Sequence, residues 1–260
     1  MTKLLVVGGG KMGEALLGGL LASGWAAPEE VAVVEPAAAR QSVLADRFPG
    51  ITVTGSPVAA DGAVLAVKPP MITDVCAELG ELGIRRLLSI AAGIRLASME
   101  AVVPAGTAVV RAMPNTPSLV GMGAAAIVGG EAAAEEDLVW AEEVLGAVGT
   151  VTRVTEAQIN MVTGLSGSGP AYVFLIAEAL IDAGVLVGLP RDVASDLAIQ
   201  TLRGSAELLA AGTPPAEARA NVTSPGGTTA AGLRALEDGR VRAAIIDAVV
   251  AAKDRADEMG

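Results

Sequence analysis

The run Asn221-Val222-Thr223-Ser224-Pro225-Gly226-Gly227-Thr228-Thr229 has the residue types of a small-anion site and almost nothing that could fill a core. The pattern that follows, Ala230, Ala231, Leu233 and Leu236, predicts a short helix ending at Asp238-Gly239, with Ser and Thr where N-caps belong. The glycine pair therefore falls at a helix N-terminus. Glycine there lets backbone N–H groups close on a ligand, and the helix dipole favours negative charge at that end. A carboxylate or a phosphate suits such a turn, with threonine hydroxyls as neutral donors beside it. A Ser-Pro/Gly-Gly turn that merely caps a helix has the same composition, so the rest of the chain has to decide.

A second glycine cluster points to a dinucleotide. Leu4-Leu5-Val6-Val7 reads as a strand buried on both faces, and it runs into Gly8-Gly9-Gly10-Lys11-Met12-Gly13, after which Met12, Leu16 and Leu20 recur at helical spacing. This is Gly-x-Gly-x-x-Gly in its strand–turn–helix setting: Gly8 for the tight turn, Gly10 for approach to a pyrophosphate, Gly13 for helix–strand packing. The next strand, Val31 to Val34, ends at Glu35, where an acid can accept from a ribose 2′-hydroxyl and repel a 2′-phosphate. Arg40 lies close enough in sequence to reach a phosphate instead, so NADPH and NADH both stay open, and an acid at a solvated strand end is an equal reading of Glu35. Lys68, after another strand, is a candidate buried-side cation with the same bland alternative.

Absences narrow the chemistry. The 260 residues contain no histidine, and the lysines stand at 3, 11, 68 and 253, so histidine proton transfer is excluded and no metal site is expected. A net charge of −11 argues against a nucleic-acid groove. The richest apolar segments, 171–181 and 243–252, are interrupted by Glu178 and Asp247, short of the roughly 20 residues a membrane span needs. Lys3 is followed by only a short apolar run, which is no signal peptide. The single cysteine, Cys76, fits a reducing compartment and a cytoplasmic location.

Strand and helix patterns alternate from Leu4 to Val154 and predict a Rossmann-like, doubly wound, mostly parallel sheet, with ligands beyond the strand ends at 67–69, 91–93 and 113–117. From Glu156 the period becomes helical, with an interruption over Leu165 to Tyr172. The expected division is a dinucleotide-binding α/β domain over 1–155 and an all-α domain for substrate binding and dimerisation over 156–260. The helix from Tyr172 to Val187 is apolar on nearly every face, which implies a partner subunit.

These motifs together resemble the pyrroline-5-carboxylate reductases. The resemblance rests on Val7 to Ala15, Ala66-Val67-Lys68-Pro69, Ser89 to Ile94, Arg111 to Pro117, Gly164 to Tyr172 and, most specifically, Val222 to Thr229. It implies reduction of 1-pyrroline-5-carboxylate to L-proline by NADPH or NADH. It also implies nucleotide contacts at Val7, Gly8, Gly9, Gly10, Lys11, Met12, Gly13, Glu35, Ser56, Ala66, Val67, Lys68, Pro69, Ala91, Ala92 and Asn221. Substrate contacts would fall on Glu156, Ser224, Gly226, Gly227, Thr228 and Thr229, with the Thr229 hydroxyl the candidate catalytic group, hydrogen-bonding with the ring nitrogen. Members of the family are homodimers, often assembled into decamers of five dimers. Glu35-Pro36 and Ser56 depart from the pattern that suits NADPH. Two rivals share the glycine turn. A β-hydroxyacid dehydrogenase would need a lysine on an interdomain helix, absent between Lys68 and Lys253, and a nucleotide-binding redox sensor would need an output surface.

Overall fold

A computed structural model describes residues 2–259. They form two compact units, one comprising the chain up to Ser168 with the segment from Ala251 on, the other Gly169–Val250. The first holds β1 (Leu4–Val7), α1 (Lys11–Ala22), β2 (Val31–Val34), α2 (Ala38–Arg47), β3 (Thr52–Thr54), β4 (Gly62–Leu65), α3 (Ile72–Glu81), β5 (Arg86–Ser89), α4 (Leu96–Glu100), β6 (Ala108–Met113), β7 (Gly123–Gly129), α5 (Glu135–Gly146), β8 (Gly149–Arg153) and α6 (Glu156–Val162). Its eight strands lie in the order β3-β2-β1-β4-β5-β6-β7-β8. Because β1, β2 and β4 are buried at every position, their side chains feed two cores at once. Leu4 and Val6 pack with α1 and α5 on one face, Leu5 and Val7 with α3 and α4 on the other.

Register aligns the strand ends. Val7 is level with Val34 and Leu65, Val34 with Thr54, and Leu65 with Ser89. The carboxyl ends of β3, β2, β1, β4 and β5 therefore make one continuous edge, and the chain's winding reverses between β1 and β4. Such a reversal opens a crevice where a nucleotide can lie. Two strands, β7 and β8, run against the repetition read from the sequence. β7 is antiparallel to β6, because the connection holds a 3₁₀ turn over Thr116–Val120 and no crossover helix.

The second unit is helical, with α7 (Gly169–Leu186), α8 (Arg191–Ala210), α9 (Pro215–Asn221), α10 (Thr228–Asp238) and the greater part of α11 (Val241–Met259). Helices α7 and α8 approach closely at Gly184, where a Cβ would stand 2.8 Å from that of Ala194. Arg240 takes the left-handed conformation, φ 57°, and turns the chain between α10 and α11. The interruption expected over Leu165 to Tyr172 is not a break. A π-helical turn over Thr163–Gly167 joins α6 to α7, so helix persists from Glu156 to Leu186. That run of 31 residues, whose most apolar 18-residue stretch has a mean hydropathy of 1.6, is long and apolar enough to cross a membrane by length and composition, which overturns the length argument made from separate segments.

Candidate functional site

The glycine fingerprint is built as a cradle. Gly8 has φ 111°, and a Cβ there would stand 2.6 Å from the Ala66 carbonyl oxygen, so only glycine lets β1 turn this close to β4. A Cβ on Gly13 would overlap the Gly8 carbonyl oxygen, which is what allows α1 to start hard against the loop. Gly10 differs from both: a Cβ there meets nothing within 4 Å. Gly10 is the N-cap of α1 and no side chain caps that end. The first N–H groups of α1 thus face open space at the positive end of a helix dipole, the arrangement a pyrophosphate requires. Lys11, exposed beside Met12 in the first turn, adds a cation to the same end.

The other residues expected at the nucleotide sit along the same edge. Ala66 and Val67 follow β4, with the Ala66 N–H donating to the Val7 carbonyl at 2.8 Å. Lys68 is the N-cap of a 3₁₀ turn begun by Pro69, and Ala91 and Ala92 follow β5. Ser56 follows β3, where its carbonyl accepts from Thr54 Oγ1 at 2.7 Å. Glu35 follows β2, and its carboxylate accepts from the N–H groups of Gly9 (3.3 Å) and Ala37 (3.0 Å). Arg40 does not stand free. Its Nε donates to the Gly9 carbonyl at 2.7 Å and its Nη2 pairs with Glu14, which also pairs with Arg47.

Glu156 opens α6, in the same unit. Its Oε1 accepts from Arg111 Nη1 at 2.6 Å and from the Leu96 N–H at 3.2 Å, while Oε2 is buried with no partner. Arg111 Nη2 reaches Asn160 Oδ1 at 3.5 Å, and Asn160 in turn donates to Asp257 at 2.8 Å. Lys253 holds the Asp257 carboxyl below its ordinary range, with the Asn160 hydrogen bond assisting. Sequence reasoning gave Arg111 no role, although a lone arginine inside Val109-Val110-Arg111-Ala112 signals a buried charge that must find a partner. It also passed over Asn115. That side chain donates to the Ser166 carbonyl at 3.1 Å and accepts from the Ala124 N–H at 2.8 Å, tying the loop after β6 to the π turn.

The second unit carries the Gly-Gly-Thr-Thr turn. Gly226 is left-handed, φ 69°, and Gly227 is the N-cap of α10 with no side-chain cap. A Cβ on Gly227 would overlap the Ser224 hydroxyl. The N-cap is thus glycine, not the Ser or Thr expected, and the leading N–H groups of α10 stay open to an anion. Thr223 is taken up by α9, its hydroxyl donating to the Arg219 carbonyl at 2.6 Å. Ser224, Gly226 and Thr228 are exposed, Gly227 and Thr229 half-buried, and Asn221 is the last residue of α9. Among the described residues, no cluster of groups that could hold a metal occurs.

Comparison with known proteins bears on both units. Residues 156–259 match the family model described as pyrroline-5-carboxylate reductase dimerisation, and residues 3–93 match that of the NADP oxidoreductase, coenzyme F420-dependent. A protein of Corynebacterium melassecola called pyrroline-5-carboxylate reductase is 42% identical over 100% of this chain and 99% of its own length. One of the same name from Synechocystis is 44% identical over 99% of this chain and 98% of its own. Among solved structures, a pyrroline-5-carboxylate reductase from Coxiella burnetii superposes with TM-score 0.93 at 36% identity, covering 100% of this chain and 98% of that one. The Plasmodium falciparum pyrroline carboxylate reductase with NADP bound gives TM-score 0.87 at 30% identity over the same shares.

Proposed function

The chain belongs to the pyrroline-5-carboxylate reductase family, and from that premise we propose that it reduces 1-pyrroline-5-carboxylate to L-proline with NADPH or NADH, closing proline biosynthesis. The observation that carries the reading is the match along the whole chain to relatives of that name, 42% and 44% identical.

The nucleotide, when bound, supplies a hydride to the imine carbon. The chain's own residues bind and orient. The open N–H groups of α1 and the fingerprint Val7 to Gly13 hold the pyrophosphate. Glu35, Ser56, Ala66 to Pro69, Ala91, Ala92 and Asn221 complete the nucleotide contacts. Ser224 and the turn Gly226 to Thr229 anchor the substrate carboxylate through backbone N–H groups at a helix start. Thr229 then hydrogen-bonds with the ring nitrogen, positions it and stabilises its change of charge. Glu156 supports the substrate side from the head of α6, its Oε1 already fixed by Arg111. An imine can arrive protonated, so a chain without histidine needs no strong acid of its own. Orientation is then the main contribution, worth up to about 7 to 11 kcal/mol in productive geometry.

We assign nucleotide binding to residues 1–155 and substrate binding and assembly to 156–260. The chain is oligomeric through its dimerisation region. We further propose a homodimer, able to assemble into a decamer of five dimers, in the cytoplasm and bound to neither nucleic acid nor membrane. The net charge of −11 supports the absence of nucleic acid, and a second copy is the occupant we assign to the apolar faces of α7. Following nicotinamide absorbance with pyrroline-5-carboxylate tests the activity. No substrate-dependent oxidation of either nucleotide would overturn it.

A further inference from the structure

We infer that this chain selects NADH over NADPH, and that Glu35 together with the capture of Arg40 by Glu14 is the device. The inference deepens the nucleotide-binding reading above and rests on it. Three observations carry it, all at the end of β2.

First, Glu35 is held on every side. Its N–H donates to the Thr54 carbonyl at 2.9 Å and its carbonyl accepts from Gln41 Nε2 at 2.6 Å. One carboxylate oxygen accepts from the fingerprint loop at Gly9, the other from the Ala37 N–H before α2. A carboxylate fixed by two backbone donors cannot swing away from an arriving ligand. Each oxygen still has a further lone pair, so it can accept from the vicinal hydroxyls of a ribose. To a 2′-phosphate it presents only like charge, and no proton to donate.

Second, the cation that could offset this is committed elsewhere. Arg40 binds the Gly9 carbonyl through Nε and pairs with Glu14 through Nη2; its side chain is 28% exposed and that of Glu14 13%. Turning Arg40 toward a 2′-phosphate would break both contacts and strip a largely enclosed carboxylate of one partner. Arg47, the next guanidinium on α2, is paired with the same Glu14.

Third, the acid lies close against the loop itself. A Cβ on Gly9 would stand 3.1 Å from Glu35 Oε2, so the carboxylate lies directly over the second glycine of the fingerprint. The bound NADP of the Plasmodium falciparum structure speaks for that protein, not for this arrangement.

Titration by nicotinamide fluorescence, with no substrate present, tests the selection. We expect a Kd for NADH at least tenfold below that for NADPH, and we expect Glu35→Ser to bring the two within about threefold, chiefly by tightening NADPH. Equal affinities in the unaltered protein, or tighter NADPH, would overturn the inference even if Glu35→Ser failed to fold. A ratio unmoved in a folded Glu35→Ser protein would remove Glu35 as its cause. Turnover of pyrroline-5-carboxylate with either nucleotide reports separately on the reductase reading, so the two can fail independently.

Discussion

Arg111 and Glu156 meet as an ion pair, Nη1 to Oε1 2.6 Å, with the arginine side chain 4% exposed and the carboxylate side chain 36%. The same Glu156 oxygen accepts the Leu96 N–H, so one carboxylate joins the middle of β6, the start of α4 and the start of α6. The pair anchors the far end of the loop after β5, the loop that carries Ala91 and Ala92. Removing the arginine leaves the partly exposed Glu156 carboxylate, its Oε2 buried, without a counter-charge, a loss on the order of 1 to 2 kcal/mol because solvent reaches one side of the pair. Arg111→Met is therefore expected to lower the stability measured by urea denaturation by about that amount, and Arg111→Met/Glu156→Gln to recover most of it. Additive losses in the double variant would show that the two side chains act separately.

Gly10 and Gly13 separate binding from folding. Nothing lies within 4 Å of a Cβ on Gly10, whereas one on Gly13 would overlap the Gly8 carbonyl. Gly10→Ala should leave the Tm of the nucleotide-free protein within about 2 °C, since substitutions away from packed features change little, while weakening nucleotide binding at least tenfold by occupying the pyrophosphate's place. Gly13→Ala should lower the Tm itself. Similar behaviour of the two variants would count against the cradle.

Thr229→Ala removes one positioned hydrogen-bonding hydroxyl from the first turn of α10. The expected loss in kcat/KM is about one to two orders of magnitude, with the far-ultraviolet circular dichroism unchanged. Unchanged kinetics would take Thr229 out of the site.

Cys76 sits on the buried face of α3, fully enclosed in the core, and burial pushes its thiol up to about 12. In the unfolded chain a thiol ionises near pH ~8.5, so the folded form keeps its proton where the unfolded form loses it. Stability therefore holds below that pH and falls as pH rises from there toward 12, by at most about 1.4 kcal/mol per pH unit. Denaturation under reducing conditions between pH 9 and 11 should show a steeper loss for the unaltered protein than for Cys76→Val. Parallel curves would mean that the thiolate is not excluded from the fold.

Much of this was legible in the sequence for a definable reason. Buried parallel strands are continuous apolar runs, so Leu4–Val7 and Val31–Val34 are visible as written, the run 63–67 marks the strand that the fold sets at Gly62–Leu65, and the glycine fingerprint needs no long-range partner to be recognised. Relations between distant residues were hidden. That Arg40 is tied to Glu14 and the Gly9 carbonyl, that Arg111 finds Glu156, and that Asn115 clasps Ser166 depend on tertiary approach, which no local spacing encodes. The helix α2 was missed because Ala38–Arg47 has a single buried residue, Leu44, and so a faint apolar rhythm. The π turn was taken for a break because Ser166-Gly167-Ser168-Gly169-Pro170 has loop composition, yet Gly167 lets the chain pass Met113, where a Cβ would stand 2.5 Å from its Cε.

Helix α7 has 18 residues, none of them buried within this chain, and Phe174, Leu175 and Leu186 are 60%, 66% and 86% exposed. An isolated copy would hold that oily rod in water, so folding to completion and finding a companion become one equilibrium. Dilution then acts on this protein as a denaturant, and its melting temperature should climb with concentration across a nanomolar-to-micromolar series.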